Sequence, residues 1–149
     1  MKKLGFSEVV KSVWMGILFF IFLTTFGCNG DKQEEVPYRT VDIRINLSSP
    51  DFASLSGVGG FVYITGGSKG IFLRRKSFEE YTAYDRNCTF NALEGCVLTI
   101  DSNNFYLIDS TCCGSRFSLD NGNSVLGPAS RTLRTYRTTL NGNTLFITN

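Results

Sequence analysis

The 149-residue chain contains no histidine. Without an imidazole, the Ser-His and Cys-His pairs that activate most hydrolytic nucleophiles cannot form. No Ser-x-x-Lys arrangement takes their place. Gly57-Val58-Gly59-Gly60 lacks the lysine and the following helix that a phosphate-cradling loop requires. There is also no apolar run long enough for a spanning helix. The longest, Val13 to Leu23, falls well short of the roughly 18 to 20 residues needed. Helical periodicity is almost absent, and no internal repeat is apparent.

What the front of the chain does have is a charged leader. Lys2, Lys3 and Lys11 precede that apolar run, which then meets Thr24-Thr25-Phe26-Gly27-Cys28. A basic n-region, a short h-region and a small residue before a cysteine resemble a bacterial lipoprotein signal. Residues 1–27 are then expected to be cleaved and Cys28 to carry lipid, palmitate included. Segment 28–39, which contains Asp31-Lys32-Gln33-Glu34-Glu35, is expected to be a hydrophilic tether. Acidic residues directly after a lipidated cysteine resemble the surface-export tag of Bacteroidetes-type lipoproteins. The expected location is therefore the bacterial outer membrane, on its periplasmic side or at the cell surface, with the membrane as partner through Cys28.

Cleavage removes Lys2, Lys3, Lys11 and Glu8, so fifteen basic and thirteen acidic residues become twelve and twelve. A formally neutral domain offers no electrostatic footprint for nucleic acid, and no nucleic-acid partner is expected. Arg131, Arg134 and Arg137 recur every three residues, which on a strand sends neighbours to opposite faces. They read as solvated strand positions.

From Thr40 onward the pattern is short strands with turn chemistry between them. Val41, Ile43, Ile45 and Leu47 alternate with polar neighbours, predicting a half-buried first strand. Phe61 to Ile64 and Ile71 to Arg74 are bracketed by glycines. Val97 to Ile100 and Phe105 to Ile108 flank Asp101-Ser102-Asn103-Asn104, and Thr135 to Leu140 and Thr144 to Ile147 flank Asn141-Gly142-Asn143. Both pairs predict hairpins, the second on a strong Asn-Gly signal. The one expected helical start is Ser77 to Tyr84. Roughly 120 mature residues suffice for one core, and residues 40–149 are expected to form a single all-β domain.

The most specific stretch is Ser110-Thr111-Cys112-Cys113-Gly114-Ser115-Arg116-Phe117, followed by Gly122, Gly127-Pro128-Ala129, Leu133, Tyr136 and Asn141-Gly142. Upstream stands Tyr84-Asp85-Arg86-Asn87-Cys88-Thr89-Phe90. In order and spacing these resemble the two ligand boxes of the Rieske [2Fe-2S] family. The resemblance implies antiparallel sheets carrying a small subdomain of two loops, here Cys88 to Cys96 and Ser110 to Phe117. It also implies a ligand correspondence in which Cys88 keeps the first cysteine, Phe90 replaces the first histidine, Ser110 replaces the second cysteine and Cys113 replaces the second histidine. The chain thus reads as a degenerate member. A Rieske centre takes two imidazoles on one iron and two thiolates on the other. Phenylalanine offers a metal no lone pair, and a serine hydroxyl is a poor substitute for thiolate.

Setting Cys28 aside leaves Cys88, Cys96, Cys112 and Cys113, an even set in an exported chain. Of the three possible pairings, joining neighbours Cys112 and Cys113 is strained, which leaves two. The family resemblance implies Cys96 with Cys112, and Cys88 with Cys113 follows. If the latter two stay apart, they remain as thiols able to bind metal or exchange. The first functional expectation is a structural or interaction module with an unknown protein or ligand partner, no cofactor, no catalytic residue and no assigned metal site. In this reading Phe90, Phe105, Tyr106 and Phe117 partly fill the vacated site, while Asn104, Phe105 and Asp120 to Ser124 offer exposed contact points. The alternative is a Rieske-type electron-transfer component holding a [2Fe-2S] cluster with atypical ligands. A third class, thiol-disulfide or metal handling at Cys112-Cys113, needs nearby cations, for which Arg86 and Arg116 are the candidates.

Overall fold

The computed structural model describes residues 34–149. The signal segment, Cys28 and the first part of the tether lie outside the described residues, so the expectations attached to them stay as such. Among the described residues no helix is long and apolar enough to cross a membrane.

Ten antiparallel strands and one 3-10 turn make up the domain: β1 Asp42–Asn46, the turn Pro50–Ser56, β2 Phe61–Ile64, β3 Ile71–Arg75, β4 Tyr81–Asp85, β5 Thr99–Ile100, β6 Tyr106–Ile108, β7 Arg116–Ser118, β8 Ser124–Leu126, β9 Thr135–Asn141 and β10 Thr144–Thr148. Six strands form a sheet in the order β1-β10-β9-β4-β3-β2. The other four form a smaller sheet in the order β5-β6-β7-β8. The all-β expectation is met.

The alternation in β1 survives in three dimensions. Val41 and Ile45 are buried and Ile43 partly so, while Asp42, Arg44 and Asn46 are exposed. Register follows from the β9–β10 hairpin, where Thr144 faces Asn141 and Gly142 takes φ +57°, a value glycine reaches without steric cost. The β5–β6 connection is held by Asp101, whose carboxylate accepts from the Phe105 N–H at 2.7 Å and the Tyr106 N–H at 2.9 Å.

Residues Ser77 to Tyr84 form no helix. Ser77 N–H and Lys76 N–H donate to the Glu80 carbonyl at 3.1 and 2.8 Å, closing a turn, and β4 begins at Tyr81. Short-range helical propensity yields because Tyr81, Thr82, Ala83 and Tyr84 pair with Arg75, Arg74, Leu73 and Phe72. Aromatic and β-branched side chains suit that pleated surface.

Two apolar cores result. The first lies inside the large sheet and gathers Val41, Ile45, Leu55, Ile71, Leu73, Ala83, Tyr136, Leu145 and Ile147. The second, beneath the small sheet, contains Phe72, Tyr84, Cys88, Cys96, Leu98, Leu107, Phe117, Leu119, Ala129 and Leu133. Strand periodicity lets β3 and β4 serve both, with Leu73 and Ala83 facing one core and Phe72 and Tyr84 the other.

The end of the expected tether is held down. Val36 is buried, its carbonyl accepts from Arg134 Nη2 at 2.6 Å, and the same guanidinium lies over the Tyr38 ring at 5.5 Å. Arg134 is therefore a clamp on the incoming chain rather than a solvated strand residue.

Candidate functional site

Two loops converge at the second core. The first leaves β4 and runs from Cys88 to Cys96, closed on itself where Cys88 N–H donates to the Cys96 carbonyl at 2.9 Å. The second connects β6 to β7 as Asp109 to Ser115, closed by Asp109 N–H to the Ser115 carbonyl at 3.0 Å and Gly114 N–H to the Asp109 carbonyl at 2.7 Å. A disulfide between Cys96 and Cys112, with Cα atoms 6.2 Å apart, ties the loops together.

Beside that bridge stand the other two cysteines of the described residues, and here the expected second pairing is corrected. Cys88 and Cys113 are free thiols, their sulfurs 3.8 Å apart. That is contact distance, not a bond of about 2.05 Å. Loops already joined through Cys96–Cys112 bring the second pair close without drawing it together.

Around the two sulfurs lies a polar nest that sequence reasoning missed. Asp109 is fully buried. Its Oδ2 accepts from Cys113 Sγ at 3.2 Å, while Oδ1 accepts from Cys112 N–H at 3.0 Å and from the Thr111 hydroxyl at 3.4 Å. Burial opposes ionisation of this carboxyl, but the donors from Cys112, Cys113, Cys88 and Thr111 outweigh it and hold its pKa below the usual carboxylate range. Ser115, also fully buried, accepts the Ala129 N–H at 2.9 Å and sits 3.0 Å from Cys113 Sγ. Cys113 gives its proton to Asp109, which leaves the Ser115 hydroxyl to donate to the Cys113 sulfur. Burial pushes the Cys88 thiol far above the ordinary thiol value, with Asp109 and Cys113 adding charge repulsion against a Phe90 backbone hydrogen bond that lowers it. The signal for Asp109 was available as a carboxylate ending the apolar run Tyr106-Leu107-Ile108. An acid at the end of a buried strand is costly unless it has partners.

The four positions of the family correspondence separate. Cys88 and Cys113 meet. Phe90 is partly buried and packs against the second core, and Ser110 is exposed. Of the aromatic residues expected to fill the space, Phe117 is fully buried in that core, Tyr106 is half-buried, and Phe105 is 68% exposed. Arg86 is no activating cation for Cys112-Cys113. Its guanidinium stacks 3.9 Å from the Tyr63 ring centroid and its Nε donates to the Leu98 carbonyl at 2.9 Å. Arg116 is exposed on β7. The turn Gly66-Gly67-Ser68-Lys69-Gly70 has Gly-x-Ser-x-Gly spacing, yet it joins two strands and the Ser68 hydroxyl accepts from Asn87 Nδ2 at 3.1 Å. It is a turn and not a nucleophile elbow, which joins a strand to a helix.

A second buried carboxylate supports the first loop from below. Asp85 accepts from Ser68 N–H at 2.6 Å, the Tyr136 hydroxyl at 2.7 Å, Asn87 N–H at 2.9 Å and Lys69 N–H at 3.3 Å. Burial first, and then this carboxylate, push the Tyr136 phenol well above its ordinary value.

Two glycines allow a test of how tightly the loops are built. Gly114 has φ +74° with open space around a would-be Cβ, whereas Gly122 has φ +71° and its Cβ would sit 3.0 Å from a Tyr84 ring carbon and 3.3 Å from Leu133 Cβ. Replacing Gly114 by alanine is expected to cost only the backbone strain, about 1 to 2 kcal/mol, and Gly122→Ala clearly more. Equal midpoints for the two variants in urea unfolding would contradict the packing described for Gly122.

No protein-family model matches the chain, and no curated protein matches it. Among solved structures, the chain is similar to the cyanobacterial plasma membrane Rieske protein PetC3 from Synechocystis PCC 6803, with TM-score 0.50 and 22% identity over 60% of this chain and 86% of that one. It is also similar to the ferredoxin of carbazole 1,9a-dioxygenase from Nocardioides aromaticivorans IC177, with TM-score 0.44 and 12% identity over 76% of this chain and 98% of that one. The first likeness establishes a Rieske-like fold, in which the small four-stranded sheet and its two loops form the part that carries the thiols.

Proposed function

We propose that this Rieske-like domain carries no [2Fe-2S] cluster and serves as a structural or interaction module of the cell envelope, tethered to the outer membrane by lipid on Cys28. The observation that carries the reading is the donor set at the two loops. A Rieske centre needs two imidazoles and two thiolates. Here Phe90 and Ser110 occupy two of the four matching positions, the chain has no histidine, and the donors that do converge are Cys88, Cys113 and the Asp109 carboxylate. Two thiols and one carboxylate do not fit that cluster, and no reaction step is assigned to it.

The interaction reading draws on the surface around the loops. β8 is an edge of the small sheet, and its Val125 and Leu126 are each 52% exposed. Phe105 is exposed on the turn before β6, and exposed apolar side chains mark an interaction site where they form one patch. No nucleic acid is proposed as that partner, given the neutral charge of the mature chain.

The test is to purify the full chain in detergent without oxygen and to measure iron, acid-labile sulfide and the visible spectrum. The expected protein is colourless, with neither iron nor sulfide. Stoichiometric iron and sulfide would overturn the reading and make the domain an electron carrier with atypical ligands.

A further inference from the structure

The paired thiols Cys88 and Cys113, the adjacent Asp109 and the hydroxyl of Ser115 have no part in an interaction module. We propose that Cys88, Cys113 and Asp109 form a binding site for a single thiophilic divalent cation of the zinc class. The inference rests on the cluster-free reading, because the same sulfurs cannot serve both groups.

The spacing is the first argument. Tetrahedral zinc holds thiolate sulfur at about 2.3 Å, which puts two sulfurs on one ion about 3.8 Å apart. The observed separation of Cys88 and Cys113 is 3.8 Å. For one sulfur and one carboxylate oxygen the same geometry gives about 3.5 Å, and Cys113 Sγ lies 3.2 Å from Asp109 Oδ2. All three ligand atoms fall within 4.8 Å of one another.

Outer groups hold the ligands in place. Asp109 Oδ1 is fixed by Cys112 N–H and Thr111, which leaves Oδ2 aimed at the sulfurs. Ser115, held by Ala129 N–H, directs its proton at Cys113. Ligands oriented by outer hydrogen bonds are what metal sites require. The neighbouring group Cys96, Asp109 and Cys112 does not compete, since its sulfurs are joined in the disulfide. That bridge sets the spacing of the two loops before any ion arrives.

Charge favours the same occupant. Two thiolates beside a carboxylate need a cation to balance them, and Arg86, the cation nearest in sequence to Cys88, is engaged elsewhere. A divalent ion between the three donors supplies that charge. Binding releases two thiol protons to solvent. Cys88 is fully buried but Cys113 is partly exposed, so an ion and the water completing its coordination enter from the Cys113 side. The sequence assigned no metal site but left Cys88 and Cys113, if unbonded, as thiols able to bind metal.

The experiment uses the full chain in detergent, prepared without oxygen and without added thiol so that Cys96–Cys112 stays closed. Equilibrium dialysis against zinc with a competing chelator is expected to give about one zinc per chain. Cobalt in place of zinc is expected to give tetrahedral d–d bands and thiolate-to-cobalt charge transfer. Cys88→Ala combined with Cys113→Ser should abolish both signals. Asp109→Asn should weaken zinc binding at least about tenfold. Far-UV circular dichroism confirms that each variant is folded, and the zinc-dependent rise in melting temperature of the wild type should be absent from the double variant. Three results would overturn the inference while leaving the cluster-free reading intact: wild type with two titratable thiols that takes up no zinc, zinc uptake that survives in the double variant, or a Cys88–Cys113 bond found by peptide mapping. Iron with acid-labile sulfide would overturn both.

Discussion

Asp85→Ala is expected to lower the stability of the domain by about 3 to 5 kcal/mol, since each buried donor left without an acceptor costs about 1 to 3 kcal/mol. Four groups lose theirs at once: the backbone N–H groups of Ser68, Lys69 and Asn87, and the Tyr136 hydroxyl. Water reaches this position poorly, as Asp85, Asn87 and Tyr136 are each at most 2% exposed. In a domain of this size the expected fall in melting temperature is about 10 to 20 °C. A milder variant separates geometry from charge. Asp85→Asn retains one acceptor oxygen but removes the negative charge, so the Tyr136 phenol should titrate at lower pH than in wild type, still held up in part by burial. Thermal unfolding together with ultraviolet titration of tyrosine reads both effects. A stability loss below about 1 kcal/mol would mean that Asp85 is not the keystone of the turn between β2 and β3.

Opening the Cys96–Cys112 bridge is the second large effect. The two cysteines are 16 residues apart in sequence, and closing a loop of that length stabilises by about 3 kcal/mol through the unfolded chain. Cys112 is exposed, so Cys112→Ser leaves no cavity and isolates the loss of the covalent link. The consequence at the site is as large as the consequence for the fold. Without the link, the Cys88 and Asp109 loops are joined only by packing and hydrogen bonds, and the 3.8 Å approach of Cys88 to Cys113 loses its brace. Urea unfolding with and without reductant measures the first consequence. The rate at which Cys113 is alkylated, expected to rise in Cys112→Ser, measures the second. An unchanged unfolding midpoint on reduction would remove the bridge from the account of stability.

The contrast between what could and could not be read from sequence follows the range of the interactions. The β1 alternation, the β9–β10 turn at Asn141-Gly142 and the Asp101 connection depend on neighbours within a few residues, so local pattern was enough. Tyr81 to Tyr84 went to a strand because partners on β3 and β9 outcompeted local helical propensity. At the site, family order located Cys88 and Cys113 but overstated how closely they meet. Asp109 and Ser115 were missed because each acquires its role only when one loop folds back on itself. Asp85 reads as an ordinary polar residue until Tyr136, 51 positions later, is brought to it.

The sharing of β3 and β4 between two cores bears on how this molecule comes apart. A lobe attached by a hinge can open while its base stays closed, as a local unfolding unit with its own free energy. Here no hinge separates the thiol loops from the large sheet, since Phe72 and Leu73, consecutive in one strand, lie on opposite sides of the same wall. Pulling the loops away exposes one face of the strands that the large sheet needs. The amide protons beneath Cys88 and those at the centre of β3 should therefore exchange with solvent through one common opening event, so that anything bound between the loops slows exchange through the whole domain.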